Sequence, residues 1–407
     1  MLNKKQVRGI MWLCAVTYFI CYLTRKNFGS IISVLEEEKG LAVSIALTVN
    51  AIAYGGGQLI SGYMGDKIKP TKLVSCGLIT TVLMNLILPL CPNVALMTVV
   101  WGINGLAQAF MWPPIVRYLT TLLNNDDYSR ACVRVSWGGY IGDIAVYLLS
   151  PVCLSLLNWQ SVFIISAFLG LILFFVWNIK APAYARLGTP EEKTDENDAE
   201  DNKTAKLKWT KGFIIIIGLT LVAIAIQGIL RDGITTWMPK YLKEEYSWGD
   251  AKSILSGVIL PVFAIIEAQI VSWIYIKFVK NEHIFAGIMF AIACAAALIL
   301  CFVTGISPAI SIALCTVISA CMHGINYMLI CMVPKHFKKF GKVAFMSGLL
   351  NSCTYVGTAI AGYGMALVSE NKGWTFTIAM WAVVAGLGFI ICLLLAKKWG
   401  LFLKEHS

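Results

Sequence analysis

The hydrophobic residues of this 407-residue chain form long runs that short polar segments separate. Runs of about 20 residues are the length that an α-helix needs to cross roughly 30 Å of hydrocarbon. They lack the regular apolar–polar alternation of membrane-barrel strands. The pattern therefore predicts an all-α integral membrane protein with twelve transmembrane helices, at residues 8–35, 43–64, 73–91, 95–123, 131–157, 160–179, 212–240, 253–276, 283–304, 308–333, 343–368 and 374–396.

One long polar segment, residues 181–211, interrupts this pattern near the middle of the chain. Its many charged residues and few apolar ones are typical of segments that bury too little surface to fold, so we expect a flexible linker. The linker separates an N-terminal six-helix half, residues 1–180, from a C-terminal six-helix half, residues 212–407.

Composition supports a lipid environment for most of the chain. Hydrophobic residues make up 58% of it and charged residues 14%, whereas soluble proteins have roughly 45–50% and about 25%. The mean hydropathy is +0.74. The formal charge of +11 does not indicate a nucleic-acid partner, because the basic residues lie between the apolar runs and form no single stripe.

The distribution of lysine and arginine predicts the orientation in the membrane. If the N-terminus lies in the cytoplasm, the cytoplasmic segments hold 23 of these residues and the outer loops hold 5. Cytoplasmic loops of membrane proteins carry the excess of positive charge. We therefore expect both termini and the linker in the cytoplasm.

Two arginines lie deep inside predicted helices, where a charged side chain costs about 2.5–3.5 kcal/mol on insertion scales. Arg25 and Arg231 belong to the first helix of each half, in the loosely similar stretches YLTRKNFGSI and GILRDGITTW. Guanidinium groups bind phosphate oxygens in a bidentate manner. Two arginines that face each other across a central cavity would form a site for a dianion such as phosphate or a phosphomonoester.

Alternatively, each arginine is neutralised by a carboxylate and only holds helices together. Asp232 follows Arg231 directly, but successive helical positions point about 100° apart, so we expect these two side chains not to face each other well. Asp143 in helix 5 and Glu267 in helix 8 are the other embedded acids.

Aromatic and polar residues accompany the arginine of helix 1. Tyr18, Tyr22 and Arg25 are spaced i, i+4 and i+7, which places them on one helical face. Tyrosine hydroxyls can bind a phosphate or a sugar without adding charge. In helix 2, Tyr54 and Gln58 lie one turn apart and are predicted to line the cavity, whereas the glycines around them allow close helix packing.

Motifs for cofactor or metal chemistry are missing from the sequence. It has no G-x-x-x-x-G-K-[ST] loop and no H-E-x-x-H, and its four histidines are scattered. No nucleophile–base pattern stands out either. We therefore expect no cofactor, no metal and no enzymatic activity.

Five stretches together carry a family resemblance. They are YLTRKNF (22–28), AYGGGQLISGYMGDK (53–67), WPPIVR (112–117), RDGITTWMPKYLKE (231–244) and NSCTYVGTAIAG (351–362). They resemble the organophosphate:phosphate antiporter family of the major facilitator superfamily, which includes bacterial glycerol-3-phosphate and hexose-6-phosphate transporters. The resemblance implies two six-helix halves related as parallel repeats. It also implies exchange of an organic phosphate for inorganic phosphate by rocking of one half against the other.

The resemblance also implies roles for individual residues. Arg25 and Arg231 match the two substrate-binding arginines of the family. The matching cavity positions are Lys26, Tyr18, Tyr22, Tyr54 and Tyr355.

Four positions depart from the family pattern. Gln58 replaces a lysine of helix 2, Tyr140 a histidine of helix 5, Thr236 an acid of helix 7 and His323 a tyrosine of helix 10. The site thus loses one fixed positive charge and one titratable group, and gains a histidine elsewhere.

Two further charged residues are candidates for coupling or gating. The segment GYMGDKIKPTK (62–72) resembles the acidic–basic loop between helices 2 and 3 of the superfamily, where Asp66 would bind a helix end or a basic partner. Arg117 follows Trp112-Pro113-Pro114 near a cytoplasmic helix end, and we favour a packing role for it over gating.

Three functions stay open at this point. The first is an antiporter with a small anionic substrate. The second is a proton-coupled symporter of another organic anion in which Asp143, Glu267 or His323 titrates. The third is a transporter-like sensor of a sugar phosphate. For each we expect a monomer surrounded by membrane lipid, in a bacterial inner membrane.

Overall fold

The computed structural model describes residues 2–188, 210–248, 256, 259–278 and 281–406. Most of the predicted linker, residues 189–209, lies outside these ranges. The chain divides into two compact units, of which the first comprises Met1–Leu207 and Phe337–Leu349. Its first eight helices are α1 Lys4–Ser30, α2 Ile32–Lys39, α3 Ile45–Lys67, α4 Pro70–Ile87, α5 Val94–Ala109, α6 Trp112–Leu122, α7 Asn125–Leu156 and α8 Trp159–Gly188.

The second unit comprises Lys208–His336 and Leu350–Ser407. It contains α9 Lys211–Tyr246, α10 Ile259–Lys277, α11 Glu282–Val303 and α12 Pro308–Asn326. A π-helical turn, Tyr327–Met332, and a 3-10 segment, Val333–Phe340, continue α12. The last helix, α13 Val343–His406, begins in the first unit and is broken at Gly373, where φ is 76°.

The prediction of an all-α membrane protein is confirmed. Eleven helical segments within the described ranges are long and apolar enough to cross a membrane. The predicted second span is helical as well, as α3, but Asn50, Gln58 and three successive glycines make it more polar than the others.

Two predicted spans are interrupted in the structure. The predicted helix 8–35 ends at Ser30 and restarts at Ile32 as α2. The predicted helix 95–123 is divided between Ala109 and Trp112, because Pro113 and Pro114 cannot donate the backbone hydrogen bonds that would continue α5.

The start of the predicted linker is helical. Helix α8 continues to Gly188, so the prediction of a flexible segment was wrong for residues 181–188. Tertiary contacts explain the extension: Ala181 is fully buried and its carbonyl accepts a hydrogen bond from Tyr118 Oη over 2.8 Å. The Tyr184 hydroxyl lies against Gly9 of α1.

Side-chain caps fix many helix starts, because the first N–H groups of a helix have no partner within it. In α1, Asn3 Oδ1 accepts from Gln6 N over 2.9 Å while Gln6 Oε1 accepts from Asn3 N over 2.8 Å. A single side-chain oxygen accepts from a backbone N–H at the start of α5, α7, α9, α11 and α12, in Asn93, Asn124, Thr210, Asn281 and Ser307.

Glycines allow the closest helix contacts in both units. A Cβ at Gly138 of α7 would lie 2.1 Å from the Ala15 carbonyl oxygen of α1. A Cβ at Gly357 of α13 would lie 2.1 Å from the Ala225 oxygen of α9. Membrane helices pack tightly through such small residues, since lipid gives little hydrophobic force between helices. Each arginine-bearing helix is thus held against a partner.

Candidate functional site

Arg25 of the first unit lies among aromatic rings. Its Cζ is 4.6 Å from the centre of the Tyr22 ring and 4.5 Å from that of Tyr54 on α3. Guanidinium groups are attracted to the faces of aromatic rings, more strongly where water is excluded. Tyr54 is almost fully buried, so the two rings stabilise a half-buried cation without neutralising it.

The aromatic cluster extends along α1 away from Arg25. The Tyr18 and Tyr22 ring centres are 5.5 Å apart, and Tyr18 lies 5.3 Å from Trp112 of α6. Gly139 of α7 makes room for both tyrosines, because a Cβ there would lie 3.0 Å from Tyr22 Cε2. The predicted stripe on α1 thus shares one aromatic surface with Tyr54 and Trp112.

Lys26 and Asp143 add charge beside this cluster. Lys26 is exposed and Asp143 of α7 is half-buried, and the positive charges of Lys26 and Arg25 act on the Asp143 carboxylate. Asp143 Oδ1 accepts no hydrogen bond within the described part of the chain.

Gln58 and Tyr140 take different positions. Gln58 is fully buried in α3, and neither its Oε1 nor its Nε2 has a hydrogen-bond partner among the described residues. Tyr140 is half-buried on α7, directly after Gly139.

Asp66 and Arg117 lie together at the C-terminal end of α3. Asp66 Oδ1 and Oδ2 accept hydrogen bonds from the backbone N–H groups of Ala344 and Phe345 over 2.8 and 2.9 Å. These donors are in the first turn of α13, where a negative charge is favourable. Arg117 donates to the carbonyls of Gly65 and Ile68, which are C-terminal acceptors of α3. Asp66 was predicted to bind a helix end or a basic partner. In the structure its carboxylate binds a helix end, the N-terminus of α13.

Arg231 of the second unit forms an ion pair with its neighbour. Arg231 Nε donates to Asp232 Oδ1 over 2.7 Å, and Nη2 donates to Oδ2 over 2.9 Å. The expectation that these adjacent side chains do not face each other well was wrong. The helical angle fixes where each Cβ points, but the long arginine side chain reaches the short aspartate within one helical turn.

Two other helices complete the surroundings of this pair. Thr358 Oγ1 of α13 donates to Asp232 Oδ2. The charges of Arg231 and Asp232 both act on His323 of α12, whose Nδ1 lies 2.9 Å from the Ser319 carbonyl oxygen. Tyr355 is half-buried on α13, three residues before Thr358. Thr358 was missed by sequence reasoning, since a single threonine in an apolar helix carries no distinctive signal.

Glu267 of α10 forms no ion pair with the residues that the structure describes. Neither of its carboxylate oxygens has a hydrogen-bond partner within the described ranges. Its Oε1 approaches Gly324, which follows His323, and a Cβ at Gly324 would be 3.2 Å from that oxygen. A carboxylate in such surroundings is costly to keep ionised.

A second charged cluster in this unit was not predicted. Glu282 at the start of α11 is fully buried and accepts hydrogen bonds from Tyr275 Oη, His336 Nε2 and Trp399 Nε1 over 2.7, 2.7 and 2.8 Å. Lys335 Nζ donates to Tyr275 Oη over 2.7 Å. Residues up to 117 positions apart meet in this cluster, so no local pattern in the sequence indicates it.

Comparison with known proteins agrees with this architecture. The family model described as Major Facilitator Superfamily matches residues 14–336. Among solved structures, the proton:xylose symporter XylE superposes with a TM-score of 0.77 at 10% identity, covering 97% of this chain and 96% of that one. At that identity the likeness concerns the fold, twelve helices in two halves.

Two relatives carry names that mention phosphorylated substrates. A "Probable hexose phosphate transport protein" of Chlamydia muridarum is 23% identical over 96% of this chain and 91% of its own length. The "Glycerol-3-phosphate transporter" of Bacillus subtilis is 26% identical over 66% of this chain and 65% of its own length.

Proposed function

Because the chain belongs to the major facilitator superfamily, we propose that it is a secondary active transporter that exchanges an organic phosphate for inorganic phosphate by alternating access. The organic phosphate is a sugar phosphate or glycerol-3-phosphate. The transporter acts as a monomer in a bacterial inner membrane, with both termini in the cytoplasm.

The observation that carries this proposal is the equivalent placement of Arg25 and Arg231. Each lies on the first helix of its half, and each precedes a glutamate, Glu38 or Glu244, by 13 residues. Guanidinium groups offer a phosphate dianion positive charge and paired donors, and tyrosine hydroxyls add donors without charge. The names of the relatives support phosphorylated substrates.

Exchange follows from the charge of the site. An empty carrier pays a desolvation cost when its guanidinium groups lose contact with water, whereas a bound anion offsets that cost. Loaded carriers therefore reorient faster than empty ones. That difference is the physical basis of obligatory exchange.

Phosphate-loaded proteoliposomes test the proposal. External glycerol-3-phosphate or a hexose phosphate should release radiolabelled phosphate from the wild type. Arg25→Lys and Arg231→Lys keep the charge but lose the planar fork, so exchange should fall about 30-fold or more, the equivalent of ~2 kcal/mol. Arg130→Lys is the matched control, since Arg130 is exposed and pairs only with Asp127 among the described carboxylates.

A second candidate function, proton-coupled symport of another organic anion, is favoured by Glu267. Neither carboxylate oxygen has a hydrogen-bond partner among the described residues, which leaves a carboxyl group that can carry a proton in the membrane. Symport predicts uptake driven by an inward proton gradient without internal phosphate, and loss of that uptake in Glu267→Gln. Phosphate exchange that needs no gradient would exclude it. Binding of a sugar phosphate without any transport would instead indicate a sensor.

A further inference from the structure

A buried polar cluster of one threonine and four amide side chains adjoins Arg25 on helix α1 of the first unit. Thr24, Asn27, Asn85 and Asn104 are fully buried, and Gln108 is 1% exposed. Thr24 and Asn27 flank Arg25 and Lys26 in the sequence. Asn85 belongs to α4, whereas Asn104 and Gln108 belong to α5. The cluster therefore joins three helices at the level of Arg25.

The hydrogen bonds of the cluster converge on one residue. The Thr24 carbonyl oxygen accepts from Asn85 Nδ2 over 3.1 Å and from Asn104 Nδ2 over 3.2 Å. Thr24 Oγ1 accepts from Gln108 Nε2 over 2.9 Å. Asn27 Nδ2 donates to Asn85 Oδ1 over 2.7 Å. The backbone immediately before Arg25 is thus held from two neighbouring helices.

Such bonds determine how a membrane helix is rotated. Lipid is as apolar as a leucine side chain, so hydrophobicity alone does not fix helix rotation, and interhelical hydrogen bonds and packing do. A guanidinium lies roughly 9 Å from its helix axis, so a rotation of 10° moves it by about 1.5 Å. Displacements of that size are large for a bidentate contact with an anion.

The cluster is also incompletely satisfied. Asn104 Oδ1 and Gln108 Oε1 accept no hydrogen bond within the described part of the chain. A cluster that served stability alone would gain from apolar replacement of such groups. Amide N–H groups of the cluster donate to Thr24, while two amide oxygens have no partner among the residues described.

We infer that Asn85 and Asn104 are positioning residues for Arg25: they hold the Thr24 carbonyl and so set the rotation of helix α1 that presents the guanidinium to an anion. The inference rests on the proposed function, because it assigns Arg25 a ligand. Neither asparagine touches that ligand itself.

The test compares Asn85→Ala and Asn104→Ala with the control Asn50→Ala. Asn50 is also a buried asparagine of this unit that donates to a backbone carbonyl of α5, that of Trp101, over 2.7 Å. Two quantities are measured on the full chain: hydrogen exchange of the peptide around Arg25, and the Kd of inorganic phosphate. In both Asn85→Ala and Asn104→Ala, hydrogen exchange around Arg25 should be faster and the Kd of phosphate about tenfold higher. Asn50→Ala should change neither quantity.

Each contrary result has a defined meaning. Unchanged hydrogen exchange around Arg25 in both variants would overturn the positioning role, independently of which ligand the protein binds. Faster hydrogen exchange with an unchanged Kd of phosphate would overturn the positioning role as well. If the wild type binds no phosphate but hydrogen exchange around Arg25 is still faster in the variants, the proposed function is refuted. The positioning of Arg25 by the two asparagines is then supported. If the alanine variants do not fold, Asn85→Ser and Asn104→Ser replace them, with the same expected direction.

Discussion

The indole Nε1 of Trp374 donates a hydrogen bond to Glu244 Oε2 over 2.7 Å. The first unit contains the same arrangement, in which Trp159 Nε1 donates to Glu38 Oε2 over 2.5 Å. Each glutamate ends the first helical stretch of its half, and each tryptophan, 6% exposed, begins the last. Within each half, a hydrogen bond between the same two residue types, tryptophan and glutamate, therefore joins the first membrane helix to the last.

Loss of this bond should lower stability measurably. Trp374→Phe removes the donor and leaves the carboxylate in place, so the free energy of unfolding should fall by about 1–2 kcal/mol. Trp381→Phe is the control, because its buried Nε1 has no partner among the described residues and only ring volume is lost. Thermal unfolding in detergent gives both values. A loss as large in Trp381→Phe as in Trp374→Phe would assign the effect to packing.

Replacement of Asp232 should strengthen anion binding. The Asp232 carboxylate occupies the Nε edge of Arg231, so a phosphate must compete with it for that edge. Asp232→Asn removes the competing charge and should lower the Kd of phosphate about tenfold. Glu244→Gln removes a charge from the same helix, far from Arg231, and should leave the Kd unchanged. Weaker binding in Asp232→Asn would mean that the carboxylate orients the guanidinium instead.

Neutralisation of Glu282 should destabilise the second unit. Three donors on three helical segments point at this buried carboxylate, and Glu282→Gln weakens all of their bonds. Breaking a buried ionic arrangement costs about 3–5 kcal/mol. Glu37→Gln, at an exposed position, should cost nothing measurable. The unfolding temperatures of the two variants check this difference, and equal values would contradict it.

A methyl group at Gly138 should disrupt the first unit. Gly138→Ala would place Cβ 2.1 Å from a backbone oxygen of α1, which cannot move without shifting that helix. We expect a cost of ~2 kcal/mol or more. Gly56→Ala meets no atom within 4 Å, and should be neutral or stabilise α3 by up to about 1 kcal/mol. The monodisperse fraction on size-exclusion chromatography and the unfolding temperature distinguish the two variants. A Gly138→Ala protein as stable as the wild type would refute the close contact.

The sequence was informative wherever charge or periodicity carried the signal. A charged residue in an apolar run is conspicuous because it is costly, and Arg25 and Arg231 stood out for that reason. The spacing of Tyr18 and Tyr22 predicted a shared face, and their rings are 5.5 Å apart. Helix existence was predictable for the same reason, since apolar runs of this length have few alternatives in lipid.

Contacts between distant residues were not predictable. The bonds to the Thr24 carbonyl depend on which faces of α4 and α5 meet α1, and uncharged Asn85 and Asn104 give no sign of this in one sequence. The ion pair between Arg231 and Asp232 was not predicted, because the angle of about 100° between successive helical positions describes Cβ directions and not how far a side chain reaches. The Glu282 cluster joins residues up to 117 positions apart, so no local pattern reveals it.

The extension of α8 to Gly188 has a practical consequence for protein engineering. An affinity tag, a fluorescent protein or a protease site inserted between 181 and 188 would interrupt a helix that Tyr118 and Tyr184 hold against its neighbours. Proteases cleave extended backbone, so this stretch should resist digestion in the folded protein. A fusion or a cleavage site that is meant to leave helix α8 intact therefore belongs after Gly188.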